Sequence, residues 1–171
     1  MAILDVLVYP DPALRVMAED VTRFDDKLKK LISDMWETMY LSKGIGLAAP
    51  QVGVPMRLVV IDWEGIRYAL VNPRIVEEEG EERAEEGCLS FPGIFEEITR
   101  PNKIRVVYQD ENGDARDEVI EGFLARVFCH EIDHLDAKLM IDKLSRLKRA
   151  FIKKKMERKA KSLVDSEVQE R

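Results

Sequence analysis

The sequence is poor in the features that mark secreted or membrane proteins. It contains two cysteines, Cys88 and Cys129, and their spacing does not resemble a disulfide framework. No run of about 18 apolar residues occurs, so we expect no membrane-spanning helix. The first residues include Asp5 and no basic stretch, unlike a signal or transit peptide. These absences favour a cytoplasmic protein with reduced thiols and without a membrane partner.

Length and charge set further limits. A chain of 171 residues predicts one domain, residues 1–171, with a sizeable core. The net charge of -6 hides an asymmetry: residues 77–86 carry seven glutamates, whereas residues 146–161 carry nine Lys/Arg and one acid. We expect the acidic stretch to be a solvated loop or strand edge. The basic stretch, within a C-terminal helix and tail at about 146–171, is either a solvated helix face or an RNA-binding surface. Nothing indicates a DNA partner.

Periodic apolar residues predict three helices. Residues 25–43 form an amphipathic pattern that Asp25 or Asp26 can cap and Gly44 can end. A second helix is expected to follow Gly122. A final helix is expected after Ser145 as its cap, with its body-facing side formed by Leu147, Ala150 and Phe151.

Short β-rich segments between turn residues predict strands at 57–62, 68–72, 103–108 and 116–120. The last two flank the turn 110–113 and read as a hairpin. The N-terminal residues read as a first strand or an extended segment. The order of helix, antiparallel strands, helix and helix predicts an α+β domain. Its central helix would pack against antiparallel sheets, with an amphipathic helix before it and another helix after it.

The two histidines are the strongest chemical signal. His130 and His134 are the only histidines, and on a helix they would lie one turn apart on the same face. With Glu131 they form an H-E-x-x-H pattern, in which two imidazoles bind a metal and the carboxylate handles protons. The alternative is a pair of surface histidines on an ordinary helix. A third ligand would be needed, and a Cys88 thiolate suits Zn(II) or Fe(II), although a lone cysteine is more often buried filler.

Two further segments complete a family pattern. Residues 44–51 read G-I-G-L-A-A-P-Q, residues 86–90 read E-G-C-L-S, and residues 130–134 read H-E-I-D-H. In this order and without a break, the three segments resemble the motifs of peptide deformylase. The resemblance extends from Pro10 to Ser145, which is most of the chain.

The resemblance implies a metal centre and a reaction. Cys88, His130 and His134 would bind one divalent ion, Fe(II) in the cell, with Zn(II), Ni(II) or Co(II) possible in purified protein. Glu131 would move the proton, while the Gln51 amide and the Leu89 N–H would meet the oxyanion. The substrate would be the N-formyl group on the initiator methionine of a nascent polypeptide, and the products formate and a free amino terminus.

The resemblance also implies how substrate is held. The pocket for the methionine side chain would be lined by Ile45, Phe123, Val127 and the His130 ring. A tight wall near Gly46 and Leu89 would reject acetyl groups. Segments at Ile45 and Gly87 would clamp the peptide as added strands. The basic C-terminal helix would be a candidate contact for the ribosome.

Four further residues have expected roles outside the inferred reaction. Asp133 could orient a ligand or an arginine, and Glu86 could pair with Arg100; for both, a structural salt bridge is the favoured interpretation. Cys129 stands where glutamine is common in the family and is expected in the core. Ala137 replaces a frequent glycine, which indicates an adjusted helix end.

Three alternatives remain open at this point. The first is another metal-dependent amide hydrolase or peptidase of the H-E-x-x-H type, although no third histidine is present. The second is a closed structural metal site, which would need four protein ligands. The third is an inactive relative, but the presence of every inferred catalytic residue argues against it.

Overall fold

A computed structural model describes residues 2–169, and side chains are described for residues 2–162. The fold is α+β, as the sequence predicts. Short 3-10 helices occupy residues 12–15, 49–52 and 140–143. In chain order the longer elements of the described residues are α1 (Asp26–Leu41), β1 (Gly46–Ala48), β2 (Leu58–Trp63), β3 (Ile66–Glu79), β4 (Glu82–Cys88), β5 (Phe91–Arg100), β6 (Lys103–Gln109), β7 (Ala115–Glu121), α2 (Phe123–Leu135) and α3 (Arg146–Gln169).

An antiparallel sheet of order β1-β2-β3-β6-β7 lies between α1 and α2. Strand β2 is buried on both faces, because its side chains alternate between the two helices. Leu58 and Val60 pack in the same cluster as Met35 of α1. Val59 and Ile61 pack in the cluster that holds Phe128 of α2. The sheet therefore presents α2, with its histidines, above the edge strand β1.

The predicted first helix is confirmed. Asp25 caps α1 by accepting a hydrogen bond from Leu28 N at 3.0 Å. After Leu41 the chain turns through Lys43 at φ 59°, and Gly44 N donates to Met39 O at 3.0 Å. This ending places residues 44–51 directly at the edge of the sheet.

Three predicted strands are confirmed as β2, β6 and β7, and the predicted hairpin forms between the last two. The predicted end of the strand at residue 72 is wrong. Strand β3 continues through Pro73 to Glu79, since the register shifts between Val71 and Arg74 and Asn72 adopts a φ of 54°. A proline without an N–H is tolerated at such a bulge.

The acidic stretch forms the end of β3, a turn at Gly80 and strand β4, so it is mostly paired strand and not loop. Glu77 lies opposite Arg105 and Glu79 opposite Lys103 in the register of β3 and β6. These cross-strand cations offset part of the acidic charge.

Strands β4 and β5 form a separate hairpin that packs on α3 through a second core. Ile152 and Met156 of α3 are buried there with Phe91, Ile94 and Ile98. The predicted body-facing residues are wrong, because Ala150 is exposed and Leu147 and Phe151 are 81% and 68% exposed. Both apolar pairs have the same four-residue spacing on adjacent faces, so spacing alone could not choose between them.

The start of α3 is as predicted, with Ser145 Oγ accepting from Lys148 N at 3.2 Å. The N-terminal residues are extended and run along α1, where Ala2 N donates to Asp34 and Leu4 N to Thr38. In the part of the chain that the structure describes, no helix combines the length and hydropathy needed to cross a bilayer.

Candidate metal centre and catalytic cleft

Three potential metal ligands converge between α2 and the β4–β5 hairpin. His130 and His134 project from one face of α2, and their ring centroids lie 5.2 Å apart. Cys88 ends β4, where the register with β5 shifts after Gly87. The donor atoms of Cys88, His130 and His134 all lie within 4.8 Å of one another. The structure thus brings together the three ligands that the sequence predicts from distant segments.

The spacing of these donors fits a tetrahedral divalent cation. Metal–sulfur and metal–nitrogen bonds of about 2.3 and 2.05 Å at a tetrahedral angle separate the two ligand atoms by about 3.6 Å. Cys88 Sγ and His134 Nε2 lie 3.5 Å apart. A thiolate and two imidazoles suit Zn(II) and Fe(II). Because three protein ligands leave one tetrahedral position open, the arrangement is typical of a catalytic site and not of a closed structural one.

A buried carboxylate orients the first histidine. Glu86 Oε2 accepts from His130 Nδ1 at 2.9 Å, which directs Nε2 of that ring toward Cys88 and His134. Burial opposes the charge on Glu86, but hydrogen bonds from His130 and Arg100 outweigh it and hold the pKa of the carboxyl well below its usual range. The expected pair of Glu86 and Arg100 is confirmed at 2.7 Å, and Arg100 also binds Asp133 at 2.6 Å.

The second histidine has a different environment. His134 is buried, and its Nδ1 has no hydrogen-bond partner among the described residues. Burial, together with the neighbouring His130 and Arg100, lowers the pKa of His134 well below its ordinary value. A neutral imidazole is the form that binds metal.

Glu131 is aimed at the space between α2 and β1. The residue is buried, its Oε1 lies 3.8 Å from His130 Nε2, and its Oε2 has no hydrogen-bond partner in the described part of the chain. Burial raises the pKa of Glu131 to about 7. Gly46 faces this carboxylate so closely that an added Cβ would lie 2.8 Å from Oε2. A buried carboxylate oxygen without a hydrogen-bond partner destabilises the fold, so its presence here indicates a role in the chemistry of the site.

The Gln51 side chain is held in one orientation. Its Oε1 accepts from Ala48 N at 3.0 Å, so its Nε2 faces Ser90 Oγ at 3.1 Å and Cys88 Sγ at 3.7 Å. The short 3-10 helix at residues 49–52 produces this geometry. Gln51 therefore presents an amide donor beside the Cys88 sulfur.

These groups line a cleft of about 580 Å³ between β1, the β4–β5 hairpin and α2. Of the eleven predicted site residues, ten line the cleft, and His134 lies buried beneath it. The ten are Ile45, Gly46, Gln51, Gly87, Cys88, Leu89, Phe123, Val127, His130 and Glu131.

Sequence reasoning missed other lining residues. Arg126 lies four residues before His130, and this spacing could have placed it on the same helix face. Phe91, Ile94 and Phe95 of β5 add an apolar wall to the cleft and lie beyond the family motif at residues 86–90. Cys129 is a core residue, as expected, and burial raises the pKa of its thiol to about 12.

Together with the α+β fold, the open candidate ligand set is typical of a metal-dependent hydrolase. The sequence matches the family described as polypeptide deformylase over residues 3–150. The peptide deformylase of Alkalilimnicola ehrlichii is 51% identical over 162 residues, covering 92% of this chain and 91% of the relative.

Solved structures agree with the sequence relatives. Peptide deformylase from Thermotoga maritima aligns with a TM-score of 0.83 and 49% identity, covering 85% of this chain and 99% of that one. The Legionella pneumophila structure aligns at 0.89 and 43% identity, covering 95% and 98%. The Ehrlichia chaffeensis peptide deformylase in complex with actinonin aligns at 0.90 and 40%, covering 93% and 98%.

The chain therefore belongs to the polypeptide deformylase family. It is a hydrolase that removes the N-formyl group from the initiator methionine of nascent polypeptides. The alternative of a different H-E-x-x-H amide hydrolase or peptidase is not favoured.

Proposed function

We propose that Cys88, His130 and His134 hold one divalent ion and that deformylation occurs beside it in the cleft. Fe(II) is the proposed ion in the cell, with Zn(II), Ni(II) or Co(II) as substitutes in purified protein. When bound, the ion supplies a water ligand of lowered pKa and polarises the formyl carbonyl. The observation that carries the proposal is the position of Glu131, a cleft-lining residue whose Oε1 lies 3.8 Å from His130 Nε2 and whose Oε2 has no hydrogen-bond partner among the described residues.

Glu131 is the proposed proton carrier. Its carboxylate would accept a proton from the attacking water and deliver that proton to the leaving amine, since a substrate seated in the cleft beside the proposed ion would bring both groups within reach of a carboxylate fixed on α2. The rigid helix keeps the carboxylate in place through both transfers. The neighbouring Gly46 leaves room for the carboxylate because it has no Cβ.

Two donors are proposed to stabilise the oxyanion. The Gln51 amide is already fixed with Nε2 toward Cys88, and the Leu89 N–H follows the same ligand along the chain. Loss of one such donor commonly costs roughly 3–4 kcal/mol of transition-state stabilisation.

The cleft walls support the proposed substrate choice. Ile45, Phe123 and Val127 give the apolar surface that a methionine side chain needs. Strand β1 pairs with β2 on one side only, so its other edge is available to an extended peptide within the described structure. Gly87 lies on the opposite wall. Gly46 approaches Glu131 closely at this wall, and we propose that the space there admits a formyl hydrogen but not the methyl of an acetyl group.

Formate release from formyl-Met-Ala-Ser tests the proposal. Protein purified without oxygen is compared with Glu131→Ala, metal content is assayed on both, and acetyl-Met-Ala-Ser serves as the matched substrate. We expect rapid formate release by the parent, and a variant that retains metal but is slower by roughly 10²–10⁴-fold. Inhibition by actinonin, which is bound in the Ehrlichia chaffeensis structure, is an independent check. A metal-loaded parent that releases no formate would contradict the proposal.

We further propose that the chain acts as one catalytic domain in the cytoplasm and meets nascent peptides at the ribosome through α3. Lys154, Lys155, Arg158 and Lys161 are exposed on this helix. Their charge suits ribosomal RNA near the exit of nascent chains. Two other cations of α3 have contacts within the protein: Lys159 Nζ donates to Pro92 O, and Lys148 binds Glu96.

Truncation after Ser145 is a poor test of ribosome binding, because it removes Ile152 and Met156 from the second core. Reversing the four exposed cations to glutamate preserves that packing. Reversal of Lys27 and Lys29, which are exposed on α1, is the matched control. Salt-sensitive co-sedimentation with ribosomes should be lost only in the α3 variant. Equal binding by both variants would contradict this role.

A further inference from the structure

Arg126 joins the histidine helix to both strands of the hairpin that carries Cys88. The residue is 3% exposed. Its Nη1 donates to Glu86 Oε1 at 2.9 Å and to Ile98 O at 2.7 Å, and its Nη2 donates to Glu82 O at 2.6 Å. One guanidinium on α2 therefore contacts β4 and β5 together.

This contact matters because the ligand set is divided between two structural units. His130 and His134 belong to α2, whereas Cys88 belongs to the β4–β5 hairpin. In the described structure, the hairpin forms its own two-stranded sheet and shares no strand pairing with the five-stranded sheet. No shared strand pairing fixes the distance between Cys88 and the histidines, so side-chain contacts between α2 and the hairpin contribute to setting it.

Arg126 also completes the environment of the carboxylate that orients His130. Arg126 and His130 are four residues apart on α2, and both contact Glu86: Arg126 donates to Oε1 and His130 to Oε2. Arg100 supplies the other two hydrogen bonds to Glu86, at 2.7 and 3.0 Å. Two buried arginines thus balance Glu86 and Asp133, and such balance is what makes buried charges tolerable.

We propose that Arg126 is a positioning residue that presets the distance between Cys88 and the two histidines, so that the ligands are arranged before the metal binds. This inference rests on the proposed metal centre and adds a requirement for how it is assembled. A residue with a purely structural role would alter folding stability without changing metal affinity in the folded protein. A positioning residue changes the affinity itself, because ligands must be brought together at the expense of binding free energy.

The test compares Arg126→Met and Arg126→Lys with the parent, as full-length proteins checked for folding by circular dichroism. Arg83→Met is the matched control, since Arg83 lies on the same hairpin but forms an exposed pair with Glu97. Zn(II) and Co(II) affinities are measured by competition with a chromophoric chelator. The absorption of the Co(II) proteins reports whether the cysteine sulfur is bound.

We expect Arg126→Met to bind Zn(II) roughly 10–100-fold more weakly, with a weaker sulfur-to-cobalt absorption band. Arg126→Lys should also bind more weakly, because an ammonium cannot reproduce the planar fork of the guanidinium. Arg83→Met should stay within about twofold of the parent.

Two results are distinguishable. A parent that binds no stoichiometric metal refutes the proposed centre itself. A parent that binds metal, together with parental affinity in either folded Arg126 variant, overturns the positioning role and leaves the centre standing.

Discussion

Ala137 provides the sharpest test of how the backbone ends the histidine helix. Helix α2 finishes at Leu135, and Ala137 adopts a φ of 59°. Lys138 N donates to Asp133 O at 2.9 Å, and Ala137 N donates to His134 O at 3.2 Å. These bonds form a Schellman motif, whose left-handed position is usually occupied by glycine.

Replacing Ala137 by glycine should stabilise the protein. An L-residue other than glycine pays roughly 1–2 kcal/mol in the left-handed region. Glycine loses about 0.5–1 kcal/mol through its greater freedom in the unfolded chain. The difference predicts a gain of about 1 kcal/mol in the free energy of unfolding. For a domain of this size, that gain raises Tm by roughly 2–4 °C.

Urea unfolding of metal-free Ala137→Gly and parent measures the difference without a contribution from ligand binding. The matched control is Ala150→Gly, the same substitution at an exposed helical position of α3. It should lower stability by about 1 kcal/mol. If Ala137→Gly also lowers stability, the strain assigned to Ala137 is absent and the reasoning fails.

Three other predictions follow from the packing and charges of the described residues. Ile152→Ala should cost about 2–5 kcal/mol of unfolding free energy because Ile152 is only 2% exposed. Phe151 is 68% exposed, so Phe151→Ala should change that free energy by no more than about 0.5 kcal/mol. Equal effects of the two substitutions in denaturant titration would refute the described packing of α3. Gly46→Ala should lower kcat/KM for formyl-Met-Ala-Ser by at least roughly tenfold while metal content is retained, because its Cβ would meet Glu131 at 2.8 Å. Gly65→Ala, outside the cleft, should cost stability because Gly65 has a φ of 81°, but it should leave kcat/KM of the folded protein unchanged. Normal activity of Gly46→Ala would contradict the close fit. Burial opposes the charge on Asp142, but hydrogen bonds from Arg15 and Leu139 N outweigh burial and lower its pKa, so the carboxylate stabilises the fold above the ordinary aspartate pKa of about 4 and this stabilisation is lost as pH falls. Asp142→Asn should therefore cost at most about 1 kcal/mol of unfolding free energy at pH 7, after allowance for solvent screening, and the difference from the parent should vanish in acid. A difference in stability that grows in acid would refute the sign.

Local patterns predicted most of the elements because their causes are local. Asp25 and Ser145 cap the helices that follow them, and the turn at residues 110–113 joins the expected hairpin. The predicted strand ended at Asn72 whereas β3 continues to Glu79, because the bulge that accommodates Pro73 depends on pairing with distant β6. The pairing of the acidic end of β3 likewise depends on distant residues, since Arg105 and Lys103 of β6 lie opposite Glu77 and Glu79.

The proposed metal ligands could be predicted because each lies in a contiguous motif, and the structure brings their donor atoms within 4.8 Å of one another. The groups that arrange those ligands are a different case. Sequence alone offered Arg100 as a partner for Glu86, but not His130 or Arg126, because helix α2 and the hairpin meet only in the folded chain.

The Glu86 carboxylate contacts His130, a proposed ligand, and two arginines, so Glu86 couples the geometry of the proposed metal centre to the docking of the hairpin. The hairpin is in turn supported from behind by Ile152 and Met156 of α3. A change in α3 packing can therefore reach Cys88 through the hairpin, whereas a change in the exposed lysines of α3 should not. This difference explains why charge reversal, and not truncation, separates a partner-binding role of α3 from its structural one.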